Sequence, residues 1–127
     1  MKLKTILALS ATLMTLSIPV AIAQMKGMDM PKMMEMMTPK SGDPASTKDL
    51  KEAHMDMMKN MNMEFTGNPD VDFARSMVKH HEGAITMAKV QLKHGKDAEI
   101  RGMAEKIIKD QEKEIADFNT WLKKNAK

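Results

Sequence analysis

Seventeen methionines, four histidines and no cysteine set the chemistry open to this 127-residue chain. Thioether sulfur and imidazole nitrogen are good ligands for copper(I), a soft ion. Thiolate is a stronger ligand, but an exported thiol risks oxidation to a disulfide, whereas methionine keeps the soft donor and risks only the sulfoxide. Met77 lies three residues before His80 and four before His81, and Met87 sits two turns beyond His80 on the same side of a helix. His54 has Met57 and Met58 at i+3 and i+4, with Met61 a turn further. Adjacent helical residues diverge by about 100°, so His80 and His81 do not chelate one ion as a simple pair. Either one binds while the other packs or hydrogen-bonds, or each serves a different site. His94, beside Gly95, suits a cation at the negative end of a helix.

These donors are unevenly spread. Seven methionines crowd together, Met25, Met28, Met30, Met33, Met34, Met36 and Met37, and five more lie between Met55 and Met63. Core filling alone would scatter methionine among leucine and isoleucine. The first crowd sits among Gly27, Pro31, Pro39, Gly42 and Pro44 and has no other large apolar residue, so residues 24–45 are expected to form a disordered arm that gathers copper.

Ahead of the arm, Lys2 and Lys4 precede an apolar run from Ile6 to Ile18, then Pro19 and Ala21-Ile22-Ala23. That order predicts a secretory signal peptide over residues 1–23, cleaved after Ala23. The run is short for a spanning helix of about 20 residues, and the absence of cysteine excludes a lipid-anchored lipoprotein. A periplasmic or secreted chain without a membrane anchor follows. Beyond residue 23 the charge is near balance, 18 basic against 17 acidic residues. With few aromatics besides, nothing resembles a nucleic-acid surface.

Three helices must position the donors, in a domain spanning residues 46–124. The first is expected from a Ser46 cap to about Met63, with Leu50, His54, Met57 and Met61 on one face. The second runs from an Asp70 cap to His94, with an inward stripe of Phe73, Met77, His80 or His81, Ala84, Met87 or Ala88, and Gln91 or Leu92; Gly95 closes it as a C′ glycine. The third runs from an Asp97 cap to Lys124 along Ile100, Met103 or Ala104, Ile107 or Ile108, Gln111, Ile115, Phe118, and Trp121 or Leu122. Short connections imply an all-α, antiparallel up-down bundle of three helices. Its core is thin enough that a homodimer would bury the open side. Folding the first two helices back on each other brings His54 level with Met77. Folding the last two about Gly95 sets Gln111 opposite His80, where its amide can hydrogen-bond an imidazole. The expected centre holds copper, as Cu(I), on His80, His81, Met77 and His54 with Met57, Met58, Met61 or Met87 near, backed by Gln111.

The run Asp70-Val71-Asp72-Phe73-Ala74-Arg75-Ser76-Met77-Val78-Lys79-His80-His81-Glu82-Gly83-Ala84-Ile85-Thr86-Met87-Ala88 resembles the signature of the Domain of Unknown Function 305 family, as do Leu92 to Asp97, Ala104 to Ile108, Gln111 to Ile115 and Trp121-Leu122. The likeness covers roughly Ser46 to Leu122. Members with methionine-rich N-termini, the CopM type, are periplasmic copper-binding proteins regarded as metallochaperones or resistance factors. The resemblance therefore implies ferritin-like or four-helix-bundle packing, copper ligation at Met77, His80, His81 and Met87, and another periplasmic copper protein as partner. Relatives often carry proline where this chain has Lys79, so the helix here is expected to lack that kink. The arm holds no histidine, which favours copper(I) over copper(II).

No catalytic function is expected. Di-iron bundles need Glu-x-x-His pairs, which are missing, and His81-Glu82 does not extend to H-E-x-x-H. The competing reading is a non-metal interaction module, because methionine-rich helices make adaptable apolar surfaces.

Overall fold

The computed structural model describes residues 30–126, which form four helices and no strand. The expected signal peptide over residues 1–23 and the arm residues Met25 and Met28 lie outside the described residues.

Helix α1 spans Met30–Met37. It falls inside the stretch expected to be without structure. Methionine, lysine and glutamate are good helix formers, and Pro31 sits in the first turn, where its missing N–H removes no intrahelical bond. Pro39 ends the helix by disfavouring helical geometry at Thr38, whose N–H and hydroxyl both donate to the Met34 carbonyl at 3.0 and 2.8 Å. The linker then folds against α2, Ala45–Met61. Lys51 Nζ donates to Asp43 Oδ2 at 2.8 Å and to the Thr38 carbonyl at 3.4 Å, and Lys48 Nζ donates to the Ser41 carbonyl at 3.0 Å. The Lys51 hydrogen bond, ahead of the one from the Lys40 amide, holds the Asp43 carboxyl below its ordinary pKa. Ser46 is not the cap: the helix starts directly after Pro44 with no side-chain cap.

Helix α3, Pro69–His94, begins two residues earlier than its Asp70 signal suggests. Asn68 accepts from the Asp70 and Val71 amides, and Pro69 occupies the first helical position, where its fixed φ is pre-set. Gly67 at φ +85° makes the preceding turn, and Asp72 folds back to accept from the Thr66 amide and hydroxyl and the Gly67 amide at 2.7–3.0 Å. Gly95 is not a left-handed C′ glycine, since its φ of −72° is extended. Instead Arg101 Nη1 donates to the Leu92 and Gly95 carbonyls at 2.7 and 2.9 Å, supplying the donors that the helix end lacks. Asp97 caps α4, Ala98–Asn125, by accepting from the Ile100 amide at 2.9 Å.

Two features of the expected architecture are corrected. There are four helices, not three, because α1 forms within the methionine crowd. Nor is the packing ferritin-like or four-helix-bundle-like. Helix α3 packs against α2 and against α4, but no Cα of α2 comes within 8 Å of α4, and α1 approaches none of the other three. On α3, Gly83 meets α2, where Met57 lies over it, while His81 meets α4 through Glu114 and Phe118. Those positions point about 160° apart around the helix. The neighbours therefore sit on nearly opposite sides of α3, in an open layer.

Candidate functional site

A central helix flanked on opposite sides has two sides left over, and here they differ in chemistry. One carries Arg75, Glu82, Lys89 and Lys93, all exposed. Next to it, Asp49, Glu52 and Asp56 of α2 face Thr86, Lys89 and Lys93 across a polar groove. The other side carries Phe73, Met77, His80, Ala84, Met87 and Gln91, a stripe at i, i+4, i+7, i+11, i+14 and i+18 without a formal charge. Leu50, His54, Met57, Met58 and Met61 continue that side on α2, opposite its acidic edge. On α4, Ile100, Met103, Ile107 and Gln111 join Ala84, Met87 and Gln91 around a groove of about 380 Å³.

This second side is not covered by the rest of the described chain. Phe73 keeps 59% of its surface exposed, Met103 51% and Ile100 46%, and Leu50, Met58, Met61, Ile107 and Trp121 are also exposed. Phe73 leans edge-on against Phe118, ring centroids 6.0 Å apart, and its outer face stays open. The buried apolar residues are mostly small: Ala53, Val71, Ala74, Val78, Ile85, Ala88 and Ala104.

Within the α3–α4 seam lies the one buried polar residue among those described, His81, at 4% exposure. Its Nε2 is 2.5 Å from Glu114 Oε2, and its ring stands edge-on to Phe118 at 5.9 Å. With the carboxylate accepting from Nε2–H, Nδ1 is the nitrogen that can carry the lone pair. That nitrogen is buried and has no hydrogen-bond partner, and the same is true of Gln111 Oε1. A carboxylate that fixes one ring nitrogen and leaves the other free is the arrangement found behind metal-bound histidines. Glu114, rather than Gln111, supplies it here.

His80 and His81 separate as helix geometry requires: His80 is exposed on the uncharged side, its ring centroid 5.9 Å from that of the buried His81. His54 is half-buried, and its Nδ1–H donates to the Leu50 carbonyl at 2.8 Å, which leaves Nε2 as the nitrogen not used in that bond. His94 lies away from this side, Nε2 2.7 Å from Asp49 Oδ2, and joins the end of α3 to the start of α2. Met77, Met87 and Met57 are half-buried, and Met57 packs onto Gly83. In the arm, Met33 and Met37 are half-buried, while Met34 and Met36 are exposed. Among the described residues, no three histidine, aspartate or glutamate side chains gather as a metal site. Glu114 was missed from sequence because it lies in a charged run, Glu112-Lys113-Glu114, where nothing separates a partner of a buried ring from solvated surface.

The family model for a domain of unknown function, DUF305, matches residues 8–122. The chain belongs to the DUF305 family. No curated protein matches it. The match spans the three-helix layer and the stripe from Phe73 to Gln91, so this DUF305 domain carries its exposed methionine- and phenylalanine-rich side within the family's own boundaries. No helix among its described residues is long and apolar enough to cross a membrane.

Proposed function

We propose that this DUF305 chain is a non-catalytic helical interaction module, exported to the periplasm or beyond, that docks another helical surface on its methionine-rich side. One observation carries the reading: the uncharged side of the α2–α3–α4 layer exposes Leu50, Met58, Met61, Phe73, Ile100, Met103, Ile107 and Trp121 together. This many large apolar side chains left exposed on one side of a domain mark an interaction site. Methionine suits the role because its unbranched, polarizable side chain repacks against different partners.

A second reading is carriage of copper(I) as cargo, for delivery, buffering or resistance. It is favoured by His81, whose Nδ1 is buried and unpartnered while Glu114 holds Nε2. The donors that would serve are His81, His80 and His54 with Met77, Met87, Met57, Met58 and Met61, and the methionines of the arm would gather the ion. Gln111 stays a candidate hydrogen-bond partner for such a site.

Leucine in place of methionine separates the two readings, because it keeps the apolar volume and removes the sulfur. In a variant with Met57, Met58, Met61, Met77, Met87 and Met103 all changed to leucine, docking of an amphipathic leucine/lysine helical peptide, followed by calorimetry, persists within a few-fold. Copper(I) affinity, measured against a chromogenic chelator, stays low in both proteins if the module reading alone holds. Peptide binding that is absent from the unaltered chain, with copper(I) affinity that is high and collapses in the leucine variant, replaces the first reading with the second.

A further inference from the structure

We propose that the occupant of the uncharged side is a second copy of this chain, two layers meeting face to face about a twofold axis. This rests on the reading of that side as a docking surface and names its partner.

Three features of the side favour a copy of itself. The first is charge. An isologous contact sets each patch against the same patch, so any formal charge there meets its like. The α3 stripe Phe73, Met77, His80, Ala84, Met87 and Gln91 has none, and Lys89, Lys93, Glu82 and Arg75 are turned to the opposite side. On α4 the carboxylate of Glu114, on one helical face with Ile107 and Trp121, is held by His81 Nε2. Two such α3 stripes can meet along the axis without setting a charge against its like, which charged stripes could not do.

The second is shape. Helices α2 and α4 lie on nearly opposite sides of α3 with no Cα of one within 8 Å of the other, so the layer is open, and the groove between α3 and α4 is only one part of its apolar side. Two open layers stacked on their apolar sides form a two-layer helical domain, the arrangement that a half-covered layer lacks.

The third is area. Eight large apolar side chains on this side are 37–59% exposed. At about 150–250 Å² for a large side chain, they offer on the order of 600 Å² of apolar surface. With the backbone and polar rim around them, that approaches the roughly 800 Å² per partner of a stable interface.

Trp121, the single tryptophan, lies on this side at 38% exposure and reports directly on the contact. In sedimentation equilibrium the purified chain is expected at twice its monomer mass at micromolar concentration. On dilution, the Trp121 emission should shift to the red and its quenching by acrylamide should rise at least two-fold. Phe73→Lys with Met103→Lys should weaken association at least a hundred-fold and keep the helical circular dichroism, while Lys89→Glu on the opposite side leaves it unchanged. If the double variant loses its helicity, the dilution response of Trp121 in the unaltered chain decides the matter by itself. A chain that stays monomeric to about 1 mM, or a dimer indifferent to Phe73 and Met103 but broken by Lys89→Glu, overturns the proposal. Should the monomer still bind the amphipathic peptide, self-association fails while the docking reading stands; loss of both removes the docking reading too.

Discussion

Helix α3 has two seams, and they are built differently. Toward α4, Ala74, Val78, His81, Ile85 and Ala88 recur at i, i+4, i+7, i+11 and i+14, a helical face that meets Ala104, Phe118 and the reach of Glu114. Toward α2 the seam is thin. It consists of Gly83 under Met57, Ala53, and Ser76 with its hydroxyl on the Met63 sulfur at 3.5 Å. At its far end Asp49 takes His94 at 2.7 Å and Lys93 at 2.6 Å. One seam is a packed stripe around a buried ring. The other is a close approach allowed by a missing side chain and closed by ion pairs. The difference indicates that α2 is the helix more easily displaced, and that loss of α2 need not unfold the α3–α4 pair.

Breaking the packed seam should cost the most. His81→Ala leaves a cavity where the ring was, and urea unfolding is expected to show a loss of about 2–4 kcal/mol. A loss below half of that would mean that the seam does not depend on the ring. Next is the close approach. A Cβ on Gly83 would lie 2.5 Å from Met57 Cγ and 2.9 Å from Met57 Cβ, so Gly83→Val should destabilise by about 1–3 kcal/mol through overpacking. Adding Met57→Ala should recover most of it, and a double variant no better than the single one would show that the thin seam is not set there.

A smaller effect follows for Glu114, which is 56% exposed. Glu114→Ala strips the buried Nε2 of its acceptor, and a loss of about 1 kcal/mol is expected; proton NMR should show the His81 Nε2–H exchanging faster with solvent. The smallest effect is at Asp49. Its carboxyl is held below its ordinary pKa by the His94 hydrogen bond first and the Lys93 hydrogen bond second. A lowered folded-state pKa gives stability that is present above the unfolded value and lost as pH falls through the folded one. Asp49→Asn should therefore lower the thermal midpoint slightly near pH 6 and erase the difference from the unaltered chain in strong acid. A gap that persists in acid would assign the effect to packing instead.

Much of this was legible beforehand. The three long helices and the Asp97 cap follow from apolar period and capping chemistry, which act within a few residues. On α4 the period leaves Met103 or Ala104, Ile107 or Ile108, and Trp121 or Leu122 open, and the fold buries the second of each pair more deeply while the first stays exposed. The divergence of His80 and His81 follows from 100° per residue. Helix α1 was not legible, because proline and glycine among methionines read as breakers, yet Pro31 falls where a helix tolerates it. Phe73, Met77, Ala84 and Met87 share one face, as their spacing predicts, but the fold leaves Phe73 exposed and the other three half-buried. Periodicity shows that a face is apolar, and cannot show whether anything covers it.

By itself, then, the amino-acid sequence determined which residues share a helical face, where the long helices lie and which soft donors the chain carries, since all of these are set by local backbone geometry and composition. Only tertiary structure decided that α2 and α4 take opposite sides of α3, that Glu114 holds the His81 ring, and that the methionine-bearing side is left open. Those outcomes depend on Gly83 admitting Met57 and on contacts between residues more than 20 positions apart, and no local signal encodes either.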